Sequence, residues 1–320
     1  GVVSGVACFA TGDTLMGASW FGLMRPVVPE EMRGRFWGRL RFTWQTIGIV
    51  FSCATAFLLN QTTPLSIFQA ILFAAAVFMS VRVYFYRQIP ELRQPVKKTG
   101  FRKTLVHIVK TPGYASFCCY CFLLLLVVGG APAIFGLLAK EILEFGDDKV
   151  VWLGIILMIG QVCGFYYIGN IIDRFGTKPV FLVCHLAFAV IFFLFTARVF
   201  VPVPAFLLLA PLSFFFGTAA ASSSVAITSE MMALIPEENQ ALGTSVCTTL
   251  LKAGKGFSGV VAAVILSLGM LRDSWTFGGA HLSQYDSILL VSSFAVLMLV
   301  VTLGLVPSVI GKEHWGPSTP

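Results

Sequence analysis

Charge is what this sequence has least of. Only 12% of its 320 residues are Asp, Glu, Lys or Arg, against roughly 25% in a soluble domain. Hydrophobic residues make up 57%, and mean hydropathy is +0.86. The scarcity is concentrated in charge-free runs at residues 42–81, 111–139, 150–172, 199–229 and 287–311. Crossing a hydrocarbon core takes about 20 apolar residues, so each run holds one crossing or two. A soluble globular domain is thereby excluded. A cleaved signal peptide is excluded as the source, because the pattern repeats along the whole chain. Metal ligands are sparse too. The eight cysteines show no paired ligand spacing and the four histidines stand apart, so no metal site is expected. Buried thiols in such helices act as small apolar residues.

Nine membrane spans are predicted, at about 1–24, 36–59, 65–86, 114–139, 150–172, 179–199, 204–230, 241–268 and 286–310. Turn chemistry separates them, as at Asn60-Gln61-Thr62-Thr63-Pro64 and Pro202-Val203-Pro204. The one long hydrophilic connection, Arg87 to Thr111, carries Lys97, Lys98, Arg102, Lys103 and Lys110. It reads as a linker that faces lipid headgroups, with no nucleic-acid partner implied. Alternate connections and the tail hold 16 basic residues on one side of the membrane against 4 on the other. The positive-inside rule makes the rich side, and the C-terminus with it, cytoplasmic. A plasma or inner membrane is the expected location.

An internal repeat organises the spans. Val28-Pro29-Glu30-Glu31 recurs 207 residues later as Ile235-Pro236-Glu237-Glu238, and a span precedes and follows each copy. The following spans carry matching polar or small stripes at helical spacing: Arg41, Gln45, Gly48 and Ser52, then Thr248, Lys252, Lys255 and Gly259. Two homologous halves follow, and with them the expectation of a twelve-helix parent of which this chain keeps the last nine. The expected domains are residues 1–86 (three helices of an N-terminal bundle), 87–113 (a basic linker), 114–310 (a six-helix C-terminal bundle) and 311–320 (a cytoplasmic tail).

One loop carries a family resemblance. Gly169-Asn170-Ile171-Ile172-Asp173-Arg174-Phe175-Gly176-Thr177-Lys178 resembles the cytoplasmic loop signature of major facilitator superfamily transporters, G-x-x-x-D-[RK]-x-G-[RK]-[RK]. It matches at Gly169, Asp173, Arg174, Gly176 and Lys178 and departs at Thr177. Pro29 to Gly34 likewise resembles the family's P-x-x-x-R-G segment. The resemblance implies an all-α, polytopic, twelve-helix fold, alternating access, and a conformational role for the loop. Physically, Gly176 gives backbone freedom for a tight turn and small Gly169 permits close helix approach. The Asp173 anion suits the positive end of the helix beginning near Gly34 to Trp37, and Arg174 and Lys178 suit anionic headgroups.

Two apparent enzyme motifs dissolve on context. Gly254-Lys255-Gly256-Phe257-Ser258-Gly259 satisfies G-x-G-x-x-G, yet it lies inside an apolar helix with no strand before it. Gly256 to Gly259 resembles the serine motif of rhomboid proteases, but no later helix supplies a histidine base. Small-residue packing is the sufficient account, as it is for Gly160 and Gly164. No catalytic residue and no cofactor is expected.

The informative residues are polar and charged groups within spans, which are costly in lipid and normally face a cavity or a partner. Lys252 and Lys255 lie one turn apart. Asp13, Arg41, Trp44, Gln45 and Gln161 complete the candidate substrate and coupling set. His185 is expected to be a packed, satisfied core histidine. The resulting expectation is a monomeric secondary transporter of a small organic solute, anionic or polar, with a proton or ion as coupling partner and lipid as surroundings. The alternative is a transporter-like receptor that binds a solute without moving it.

Overall fold

In hydrocarbon no water is present to satisfy backbone N–H and C=O groups, so an apolar segment satisfies them internally as a helix. The computed structural model describes residues 33–58, 64–89, 101–235 and 240–301, with isolated positions before residue 33. Its helices are α1 (Arg33–Leu58), α2 (Leu65–Tyr86), α3 (Phe101–Val109), α4 (Tyr114–Val128) and α5 (Ala131–Leu137). They continue with α6 (Asp147–Phe175), α7 (Thr177–Ala197), α8 (Ala205–Leu234), α9 (Gln240–Ser267) and α10 (Gln284–Leu299). Six helical stretches among the described residues are long and apolar enough to cross a membrane. The span expected at 65–86 coincides with α2, and the spans that became α6 to α9 agree to within a few residues. The span expected at 1–24 lies outside the described residues apart from isolated positions.

Three features were not foreseen. The long connection contains a nine-residue helix, α3, because its residues alternate apolar and basic with helical period. The fourth span is broken at Gly129-Gly130 and ends in a π-helical turn over Leu138–Ile142. A hairpin, β1 (Ser274–Phe277) against β2 (Ala280–Ser283), precedes α10. Its turn residues Gly278 and Gly279 both take positive φ, which a side chain would resist. A helix follows each of the two Pro-Glu-Glu motifs, described from Arg33 in α1 and from Gln240 in α9.

Packing is closest between α6 and α8. A Cβ on Gly160 would stand 2.0 Å from the Phe214 carbonyl oxygen, and one on Gly217 2.0 Å from that of Leu157. At Gly164 the neighbour is the Thr218 oxygen, 2.6 Å away. Thr218 Oγ1 donates across the seam to the Gly160 carbonyl at 3.0 Å. The small-residue spacing at Gly160 and Gly164 therefore brings two backbones into contact, as its sequence suggested. At Gly169 no described residue lies within 4 Å of the missing Cβ.

Aromatic rings fill the core beside this seam. Phe135 stacks on Phe195 with centroids 3.9 Å apart and meets Phe216 edge-on at 5.2 Å. A second cluster joins Ile108 of α3 to Tyr114, Phe117, Phe181, Met231 and Cys247. At one end of the bundle a buried ion pair fastens α10 to α7. The two terminal guanidinium nitrogens of Arg198, Nη1 and Nη2, reach the Asp286 carboxylate, the second at 3.2 Å. Asp286 also accepts from the Ser283 backbone and hydroxyl, each at 2.8 Å, which caps α10. Splitting such a pair leaves a buried charge uncompensated, at a cost of about 3–5 kcal/mol.

If the α6–α8 seam organises the bundle, Gly160→Val must push two backbones apart. Thermal unfolding of the detergent-purified protein should show a loss of at least about 1–3 kcal/mol. The same change at Gly136, where no described residue lies within 4 Å, should cost far less.

Candidate functional site

The stripe on α1 turns toward α6 and α8. Gln45 Nε2 donates a short hydrogen bond to Gln161 Oε1. One turn earlier, Arg41 sends Nη2 to Thr228 Oγ1 at 3.4 Å and holds its guanidinium 5.6 Å from the Phe165 ring centroid. Further along, Met158 fits against both small residues. Its Cε is 2.9 Å from where a Gly48 Cβ would lie, and its sulfur accepts from Ser52 Oγ at 3.6 Å. All four stripe residues are half-buried. Three of the candidate residues, Arg41, Gln45 and Gln161, thus meet at one seam. The amide pair spares two polar side chains the cost of standing unbonded in an apolar setting.

Trp44 points elsewhere. It is 51% exposed, and the Arg82 guanidinium of α2 stands 5.9 Å from its ring. Arg82 also donates from Nε to Tyr86 Oη at 2.8 Å. Asp13 lies outside the described residues.

The lysines sit on α9, whose principal neighbour is α4. Cys247, Gly254 and Ser258 form its buried edge. Gly254 approaches the Phe122 carbonyl oxygen to 2.6 Å, measured from its missing Cβ, and the Ser258 hydroxyl accepts from Gly130 N–H at 2.8 Å. That last bond satisfies a donor at the break between α4 and α5. No described residue lies within 4 Å of the missing Cβ of Gly256 or Gly259. Lys255 runs its stem over Gly129: a Cβ there would be 2.9 Å from the Lys255 Cα and 3.0 Å from its Cγ. A side chain at 129 would displace this lysine. Lys255 is exposed and in no ion pair among the described residues, whereas Lys252 is half-buried and engaged. Both lie near the middle of the 28-residue α9, roughly 18 Å or more from its start at 1.5 Å per residue.

In the loop between α6 and α7, Gly176 takes φ +81°, a backbone state that favours glycine, and its N–H closes α6 on Ile172 O at 2.8 Å. The side chains of Asp173 and Arg174 lie outside the described set, as does the expected approach of Asp173 to α1. Lys178 is half-buried. Thr177, the position that departs from the signature, donates from its hydroxyl to Glu230 Oε2 of α8 at 2.5 Å. Glu230 is 8% exposed. Its only signal in the sequence was a carboxylate at the end of a long uncharged run.

His185 is fully buried between α4 and α8. Its Nδ1 shares a short hydrogen bond with the Tyr120 hydroxyl, and Nε2 lies 3.2 Å from Ser223 Oγ. Both ring nitrogens are satisfied, as expected of a packed core histidine. Phe181 and Phe188 flank the ring.

The sequence model of the Major Facilitator Superfamily matches residues 2–254. No curated protein matches the chain.

The Gln45–Gln161 bond joins α1 to α6 and predicts energetic coupling. A double-mutant cycle with Gln45→Ala and Gln161→Ala, read by thermal unfolding, should give a coupling of about 0.6 kcal/mol and up to about 1.7. Additive losses would show the amides to be independent.

Proposed function

We propose that this chain, which belongs to the Major Facilitator Superfamily, carries a small organic anion across the membrane by alternating access, with the α9 lysines as its anion-binding groups. Membership makes it a multi-pass integral membrane protein and a membrane transporter, not an enzyme. The finer reading, anionic substrate and named site, rests on one observation. Lys255 is a mid-span cation with no carboxylate beside it among the described residues. An ammonium at that depth is expensive unless it meets water, a partner or a ligand, and in transport proteins such residues mark the solute path. Lys252, one turn away, extends the same positive region.

The motion rests on the two-bundle division expected from the repeat: α4 to α10 would make one bundle, α1 and α2 would belong to the other, and the α1–α6 seam would lie between them. Rocking one bundle on the other would open and close a path past α9 while the Gln45–Gln161 contact acts near the pivot. The Gly169 to Lys178 loop would then help to hold one of the two states. The charge bias of the connections supports a cytoplasmic C-terminus in a plasma or inner membrane, and we take the working unit to be a monomer.

Uptake of a panel of organic anions, cations and neutral solutes into proteoliposomes tests this reading. Anions should be preferred, and Lys255→Gln should lower their kcat/KM about ten- to 100-fold, the worth of one charged hydrogen bond. Lys252→Ala should also weaken anion uptake, and neither change should move the unfolding midpoint comparably. The same assay with and without an imposed pH gradient reads whether a proton is the coupled ion. Unchanged anion uptake in both variants would remove the lysines from the site while leaving the family assignment intact.

A further inference from the structure

We propose that α3 is an interfacial helix that seats anionic phospholipid headgroups on Lys103 and Lys110, anchoring one end of the α4–α9 pair to the membrane surface. Three directions around this helix carry three chemistries. Ile108, 0% exposed, keys into the core cluster with Tyr114, Phe117 and Cys247, and Leu105 beside it is half-buried. Val106 and Val109 come next around the helix, 45% and 47% exposed. Lys103, His107 and Lys110, at i, i+4 and i+7, form the remaining side and are all exposed. Neither ammonium is paired with a carboxylate among the described residues.

Connectivity fixes where this helix lies. Only Lys110 to Gly113 separate Val109 from Tyr114, the first residue of a membrane-crossing stretch. Four residues reach roughly 14 Å at most. The actual path is shorter, because Lys110 N–H still bonds Val106 O at 3.1 Å and Thr111 Oγ1 donates to His107 O at 3.3 Å. Gly113 then turns the chain into α4 with φ +80°. The helix is therefore held at the depth of the headgroups, its buried edge against the bundle. The valines are placed to meet acyl chains and the lysines to meet phosphate. A basic amphipathic helix so tethered binds anionic lipid by both terms. Charge complementarity selects phosphatidylglycerol-type lipid over zwitterionic lipid as the occupant. The core contact of Ile108 passes the anchoring on to Tyr114, whose hydroxyl bonds the Gly243 carbonyl of α9 at 2.8 Å.

The test uses the full chain in vesicles of phosphatidylcholine with or without phosphatidylglycerol. Phosphatidylglycerol should raise the thermal unfolding midpoint of the unmodified chain. Lys103→Gln with Lys110→Gln should lose at least half of that gain and retain less phosphatidylglycerol in native mass spectra. Raised salt should shrink the gain in the unmodified chain. A second variant, Val106→Trp, should show fluorescence quenched by phospholipids brominated on the acyl chain. An equal gain in the lysine variant would overturn the proposal. An unquenched Trp at position 106, as expected if an acidic protein partner or bulk water covers α3, would overturn it too.

Discussion

The close approach of α6 and α8 is the contact on which the rest of the bundle is built. Lipid tails are as apolar as leucine, so helices in a membrane gain little from hiding hydrophobic surface and must be held by van der Waals contact and hydrogen bonds. Gly160, Gly164 and Gly217 remove the side chains that would keep two backbones apart, and Thr218 bridges the gap to the Gly160 carbonyl. With that distance set, α6 offers a fixed face to α1, on which Gln161, Met158 and Phe165 stand in register with Gln45, Gly48, Ser52 and Arg41. The other face of α8 is held to α7 and α4 through the Ser223–His185–Tyr120 bonds.

Polar groups inside the spans divide by what satisfies them. His185, Gln161, Ser258 and the Arg198–Asp286 pair are bonded within the protein and serve assembly. Lys255 is different. Its stem is packed at the break between α4 and α5, while its ammonium has no carboxylate among the described residues. Transporters bind solutes at discontinuous helices near mid-span, and a mid-span cation beside such a break is why the lysines and not the glutamine seam carry the proposed charge preference.

Much of the fold was legible because lipid imposes a length and a composition on each crossing. The absence of charge over 42–81 marked two helices and Pro64 their boundary, and α2 emerged at Leu65–Tyr86 as expected. The Gly160 and Gly164 spacing also told its own story. What stayed hidden was either short or distant in sequence. α3 is nine residues among lysines, and in composition it resembles a flexible linker. Arg198 and Asp286 are 88 residues apart, and no local pattern links them. The α1 stripe was visible, but periodicity gives a face without naming the neighbour, and that neighbour proved to be α6.

A carrier of the proposed kind moves an organic anion across the membrane and does not merely bind it, and counterflow separates the two. Proteoliposomes loaded with an unlabelled anion and diluted into a trace of the labelled one should accumulate label transiently, then lose it as the gradient decays. Label that binds the outer face at saturating stoichiometry but never enters the vesicle lumen would contradict the account.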